Sequence, residues 1–135
     1  MKSRIRLFTS GLILLCFLTS VITASAQGQG KEKPISAKEA AQYAGQVKTV
    51  MGIVASTKYA TRSKGQPTFI NLGQPYPNQV FTVLIWGSDR SKFDQPPEWF
   101  YKDKTIYVTG LIESYRGKAE IVVKNPLQIH IYEKE

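Results

Sequence analysis

Residues 65–86 read GQPTFINLGQPYPNQVFTVLIW. Thr68 to Leu72 and Val80 to Trp86 are rich in Phe, Val, Ile, Thr and Trp, the residue types that fit a pleated, half-buried surface. Between them lies Gly73-Gln74-Pro75-Tyr76-Pro77-Asn78, whose prolines have no N–H to give a ladder and force a connection. Two such runs around a Gly/Pro/Asn cluster predict an antiparallel strand pair. Strict alternation puts Phe69 and Asn71 on one face of the first strand and Ile70 and Leu72 on the other. The aliphatic pair belongs inside, so an aromatic ring and an amide point out. On the second strand Thr82 marks the outer face, with Leu84 and Trp86 beside it.

Working outward, Val47 to Tyr59 predicts a long first strand in which Gly52 marks a bulge or a tight coil at a corner. Thr105 to Ser114 is a fourth strand, again with a glycine, Gly110, in its middle. Tyr115-Arg116-Gly117-Lys118 is a hairpin turn with glycine where φ > 0 is needed, and Ala119 to Lys124 is the fifth strand. Leu127 to Tyr132 extends or returns alongside it. Ser88 to Lys102 bridges the third and fourth strands as a short irregular helix or paired turns, anchored by Phe93, Trp99 and Phe100. Pro34 to Tyr43 predicts a short helix capping one end, because Ser36 and Glu39 have capping-box spacing and Gly45 is placed to stop it. The sum is an all-β domain over 35–133: a five-stranded Greek-key barrel of the OB-fold type, with a short N-terminal helix and a helical or irregular connection between strands three and four.

The amino terminus reads as an export address. Lys2, Arg4 and Arg6 precede the apolar run Gly11 to Leu18, and Ala24-Ser25-Ala26 is a small-x-small cleavage site. The apolar run falls short of the ~20 residues that span a bilayer. We expect a signal peptide over 1–26, a polar linker over 27–34, and a periplasmic or extracellular destination. Cleavage removes three of 18 Lys+Arg and none of ten Asp+Glu, so the mature chain carries 15 cations against ten anions, or +5. That balance favours an anionic partner. The single cysteine, Cys16, leaves with the signal, which excludes disulfides, thiolate nucleophiles and cysteine metal sites.

Catalysis is not expected. His130 is the one histidine, so neither a zinc site nor an acid–base pair of imidazoles can form, and no cofactor or metal is implied. Asp89, Asp94, Glu98 and Asp103 alternate with Arg90, Lys92, Lys102 and Lys104, the pattern of a solvated, self-paired face. No phosphate-cradling Gly-Lys-Ser/Thr loop and no nucleophile elbow is present.

Binding fits the residues better. An exposed Phe69 flanked by amides is a surface on which a base can stack, contributing ~1–3 kcal/mol per base. The loops that flank the binding face of an OB barrel carry Lys58, Tyr59, Arg62 and Lys64 on one side and Tyr115, Arg116 and Lys118 on the other. Cations interleaved with aromatics suit a phosphate backbone with stacked bases. The candidate nucleic-acid-binding set is therefore Lys58, Tyr59, Arg62, Lys64, Phe69, Asn71, Thr82, Trp86, Tyr115, Arg116, Lys118 and Lys124. Phe69, Tyr59, Tyr115 and Trp86 would stack, the cations would meet phosphates, and Asn71 would bond a base edge or sugar.

Phe69-Ile70-Asn71-Leu72 resembles the Phe-Ile-Asp-Leu segment of the tRNA-anticodon-binding OB domain of class II aminoacyl-tRNA synthetases. The resemblance implies a base-stacking role for Phe69. Asn71 stands where that family has an acid, and no Arg-Asp pair follows Leu72, so anticodon specificity does not carry over. From Ile35 to Ile131 the chain also resembles small exported bacterial OB-fold proteins and the OB modules of secreted nucleases, through SAKEAAQYAGQVKTVMG, PTFINLGQPYPNQVFTVLIWG and YVTGLIESYRGKAEIVVKNPLQI. That resemblance is more specific for the fold than for the ligand, since OB barrels also bind oligosaccharides and proteins; the aromatic and cationic residues above predict single-stranded DNA or RNA as partner. The alternatives are an exported module binding a small ligand, an oligosaccharide or an envelope protein, and a scaffold barrel whose groove the Pro75–Asn78 loop covers.

Overall fold

Every β-branched and aromatic run singled out above forms a strand. The computed structural model describes residues 32–134; the expected signal peptide and linker residues 27–31 lie outside the described residues. Seven strands follow in order: β1 (Ile35–Ser36), β2 (Val47–Tyr59), β3 (Thr68–Leu72), β4 (Phe81–Ile85), β5 (Thr105–Tyr115), β6 (Lys118–Val122) and β7 (Ile129–Ile131). They form one sheet in the order β1-β2-β3-β4-β6-β5-β7, and a further β2–β5 pairing closes β2, β3, β4, β6 and β5 on themselves. In that closed circuit β4 and β6 run parallel. The other four contacts are antiparallel. The result is an OB-like all-β fold.

Seven strands are found where five were expected. β2 and β5, 13 and 11 residues long, outrun their neighbours. β2 uses Val47–Ile53 on β5 and Val54–Tyr59 on β3, while β5 uses Thr105–Leu111 on β2 and Ile112–Tyr115 on β6, which leaves an outer edge on each strand of the β2–β5 ladder. An uncovered edge presents unpaired N–H and C=O groups. β1 covers Val50 and Met51, and β7 covers Ile106 to Val108.

Three further details depart from the sequence reading. The bulge in β2 falls between Val54 and Ser56, not at Gly52. Gly52 instead lets the N-terminal segment approach, since a Cβ there would sit 3.0 Å from the Cβ of Ala37. The expected N-terminal helix shrinks to a single 3-10 turn, Ala40–Tyr43, because Ile35 and Ser36 are drawn into the sheet. Glu39 still reaches back as expected, its Oε2 accepting from Ser36 N at 3.0 Å, and Ala37 and Ala40 are buried in the core. The bridge between β4 and β5 is two one-turn helices, α1 (Gly87–Arg90) and α2 (Pro97–Phe100). In α2 the core side falls on Pro97, Phe100 and Tyr101, three and four residues apart. Tyr101 therefore takes the anchoring role expected of Trp99, which is 78% exposed.

Inside, Val50, Val54, Ile70, Leu72, Phe81, Val83, Ile85, Ile106, Val108, Ile112 and Ile121 form one sealed core. Truncating any of the large ones to alanine costs about 2–5 kcal/mol. The outer faces of β2, β3, β4 and β6 are thereby held in fixed register. Among the described residues no helix is long and apolar enough to cross a membrane.

Candidate nucleic-acid interface

Side chains directly opposite one another across a ladder share a face, so the pairing register maps the outer surface row by row. One row runs Lys58–Phe69–Leu84–Val122 across β2, β3, β4 and β6. The next, two residues along, runs Ser56–Asn71–Thr82–Glu120 and ends at Glu113 on β5. In the opposite direction Trp86 and Lys124 continue the same face beyond Leu84 and Val122. The ladder puts Phe69 and Asn71 on one face with Leu84 and Thr82, as alternation predicts.

The second row is closed. Thr82 Oγ1 donates to Asn71 Oδ1 at 3.2 Å, and Asn71 Nδ2 donates to Ser56 Oγ at 3.0 Å. The Gly73–Val80 loop bends over this row and is tied down on both sides. Tyr76 N donates to Ser56 Oγ at 3.1 Å, and Lys118 Nζ donates to the Gln79 carbonyl at 2.9 Å. Asn71 is 3% exposed and Thr82 5%, so neither presents a free polar group to a ligand. Lys118 spends its ammonium on the loop. These three candidates hold the cover in place. Gln79 is buried too, and its Oε1 has no hydrogen-bond partner among the described residues.

Tyr59 is also placed otherwise than expected. It is adjacent to Lys58 in sequence and therefore on the other side of β2, opposite Thr68. Its ring lies 3.8 Å from the Arg90 guanidinium carbon. Arg90 donates to Glu98 Oε2 and Oε1 at 2.6 and 2.8 Å and to Thr68 Oγ1 at 2.8 Å. Burial pushes the Glu98 carboxyl up, but the Arg90 hydrogen bonds and a backbone hydrogen bond outweigh it and hold the group below its ordinary value. This pair is part-buried, where the alternating charges suggested a solvated face. Asp89 and Lys92 pair as that pattern suggested, at 2.6 Å.

The first row stays accessible. Phe69 is half-buried and Trp86 is 39% exposed. The loop from Thr61 to Gln66 packs on one side of the indole. Gly65, at φ +75, lies so close that a Cβ would stand 3.0 Å from the Trp86 ring, and Gly87 N donates to the Gly65 carbonyl at 2.9 Å. Lys58 pairs with Phe69, Lys124 follows Val122 by two residues, and Arg62 and Lys64 belong to the loop whose Gly65 meets Trp86; all four are exposed. Among the described residues none of the four makes an ion pair. The sheet thus brings Phe69, Trp86, Lys58 and Lys124 together with the Arg62–Lys64 loop.

The far hairpin stands apart. Arg116 and Gly117 both have φ > 0, at +49 and +76, the geometry of a tight primed turn. Tyr115 is 56% exposed, and Arg116 stacks over it at 5.2 Å. Between the hairpin and Phe69 lie Glu113 and Glu120, directly opposite each other on β5 and β6. Burial first, and the Glu113 charge second, push the Glu120 carboxyl up. Neither acid was among the candidates. Alternation along Lys118, Glu120, Val122 and Lys124 carries the signal that would have placed Glu120 on the ligand side.

No protein-family model and no curated protein matches the chain. Among solved structures it is similar to the asparaginyl-tRNA synthetase from Pyrococcus horikoshii, at 12% identity and TM-score 0.49 over 73% of this chain and 23% of that one. It is similar to the aspartyl-tRNA synthetase from Entamoeba histolytica at 18% identity and TM-score 0.45, over 79% of this chain and 23% of that one. An OBody bound to hen egg-white lysozyme aligns at 18% identity and TM-score 0.49, over 76% of this chain and 96% of the other. The chain spans less than a quarter of the length of these synthetases. What fold and face define is a mostly β, OB-like domain with one basic, aromatic end on its outer sheet.

Proposed function

We propose that this chain is an exported, non-catalytic OB-fold protein that binds single-stranded nucleic acid with little sequence preference. The observation that carries the reading is the convergence of Phe69 and Trp86 with Lys58, Lys124, Arg62 and Lys64 at one end of the outer face. Every base has a π-face, so stacking on two aromatic side chains tolerates sequence. The cations meet phosphates as point charges, and each neutralised phosphate on a single strand contributes a log–log salt slope of ~−0.7. Four cations therefore set an upper slope of about −3. Export rests on the basic n-region, the apolar run and the Ala24-Ser25-Ala26 site, and amino-terminal sequencing of the protein from the medium or periplasm tests it.

Fluorescence anisotropy of a labelled poly-dT strand of ~15 nucleotides, a length that covers one OB site, tests the binding. Affinity that falls steeply from low to moderate salt, and falls about tenfold or more in Phe69→Ala, supports it. No binding at low salt retires it.

A second reading, an exported module for an envelope protein, draws on a different surface. Val47, Ile53 and Leu111 are exposed on the outer face of β2 and β5, with Met51, Tyr107 and His130 in the same rows and no Lys, Arg, Asp or Glu among them. That reading gains if the nucleic-acid titration is flat.

A further inference from the structure

Deepening the nucleic-acid reading and resting on it, we infer that the face accepts only a short segment of strand, held at the Phe69–Trp86 end, and that the Tyr115–Lys118 hairpin takes no part. The boundary has three components. The Gly73–Val80 loop is bonded to Ser56 on β2 and, through Lys118, to β6, so it bridges the face from one side to the other at the level of Asn71 and Thr82. Beneath it the amide and hydroxyl groups that would otherwise read a base are already bonded to one another. Beside it, Glu113 and Glu120 stand opposite each other with no ion-pair partner among the described residues, and they repel any phosphate led from Phe69 toward Arg116.

The accessible end has a width that sets the footprint. Phe69 and Trp86 are framed by Lys58 on β2 and Lys124 past the end of β6, so the ligand crosses β2, β3, β4 and β6. Four strands at ~4.8 Å spacing span about 14 Å. With stacked bases ~3.4 Å apart, that length holds about four nucleotides, at the low end of OB site sizes. The ligand class is a short single-stranded oligonucleotide or the end of a longer strand. The covering loop and the Glu113–Glu120 pair interrupt the path from one flanking loop to the other.

Anisotropy competition with dT4, dT8 and dT15 tests this, each affinity divided by the number of registers the strand offers. The expected result is a per-register affinity for dT4 within about threefold of that for dT15, and Arg116→Ala unchanged within the same margin. Glu113→Gln/Glu120→Gln should leave dT4 binding unchanged, because neither acid borders the Phe69–Trp86 end. A dT4 affinity about thirtyfold or more below dT15 per register, or a matching loss in Arg116→Ala, would overturn the short footprint while leaving nucleic-acid binding in place. Failure of every strand to bind at low salt would overturn the binding reading itself, and this inference with it.

Discussion

Asn71 and Thr82 hold each other across the β3–β4 ladder, the threonine hydroxyl donating to the amide oxygen at 3.2 Å beneath the Gly73–Val80 loop. Removing one partner leaves buried groups unpaired, at about 1–3 kcal/mol. Asn71→Ala should lower the urea midpoint accordingly, without a change in m. Poly-dT affinity of the folded fraction should stay within about twofold, because the amide faces no ligand. A large affinity loss at unchanged stability would return Asn71 to the recognition surface.

The Arg90–Glu98 pair is part-buried, and breaking it leaves a charge without its partner. Arg90→Ala should cost about 1–3 kcal/mol, through Glu98, Thr68 and the lost stack on Tyr59 together. For Glu98 the sign is that of a depressed carboxylate. Its contribution is fully present above the ordinary value of 4.5 and is lost as the pH falls through the lower folded value. Thermal melts of Glu98→Gln should therefore show a shallower loss of Tm than wild type on acidification below pH 4.5. Parallel curves for the two proteins would show that the pair contributes nothing pH-dependent.

Glu120 titrates in the opposite sense. Burial and Glu113 raise it, so the folded state holds its proton more tightly than the unfolded chain does. Protonation favours folding, and stability is lost from this group as the pH rises from 4.5 through the raised value. Glu120→Gln should raise Tm at neutral pH and leave it unchanged well below 4.5. A lower neutral Tm would mean that the carboxylate has a stabilising partner.

Gly65 combines φ +75 with contact against the Trp86 ring. An alanine there meets both left-handed strain of about 1–2 kcal/mol and a steric conflict with the indole. In a Trp99→Phe background, which leaves one tryptophan, Gly65→Ala should shift the emission maximum and weaken poly-dT binding. Unchanged emission would show that the loop yields instead of the ring.

Much of this was legible in one dimension. Period-2 alternation in Phe69 to Leu72 separated core from surface, and the Pro/Gly punctuation of 73–78 separated β3 from β4. Tyr59 shows the limit of listing residues by loop: one step from Lys58 along an extended chain, it points to the opposite side and serves Arg90. Trp99 shows the same limit in a helix one turn long, where propensity cannot say which side meets the core.

Alternation, turn residues and charge are local properties, so they already specify the five long runs as strands, the outward face of Phe69 and the basic character of its surroundings. That Asn71, Thr82 and Lys118 are committed to a covering loop, that Glu113 and Glu120 divide the face, and that β1 and β7 complete the sheet emerge from the three-dimensional arrangement. Each of these depends on which strands lie side by side. Register across a closed sheet is set by the packing of the whole core, and no single strand carries that information.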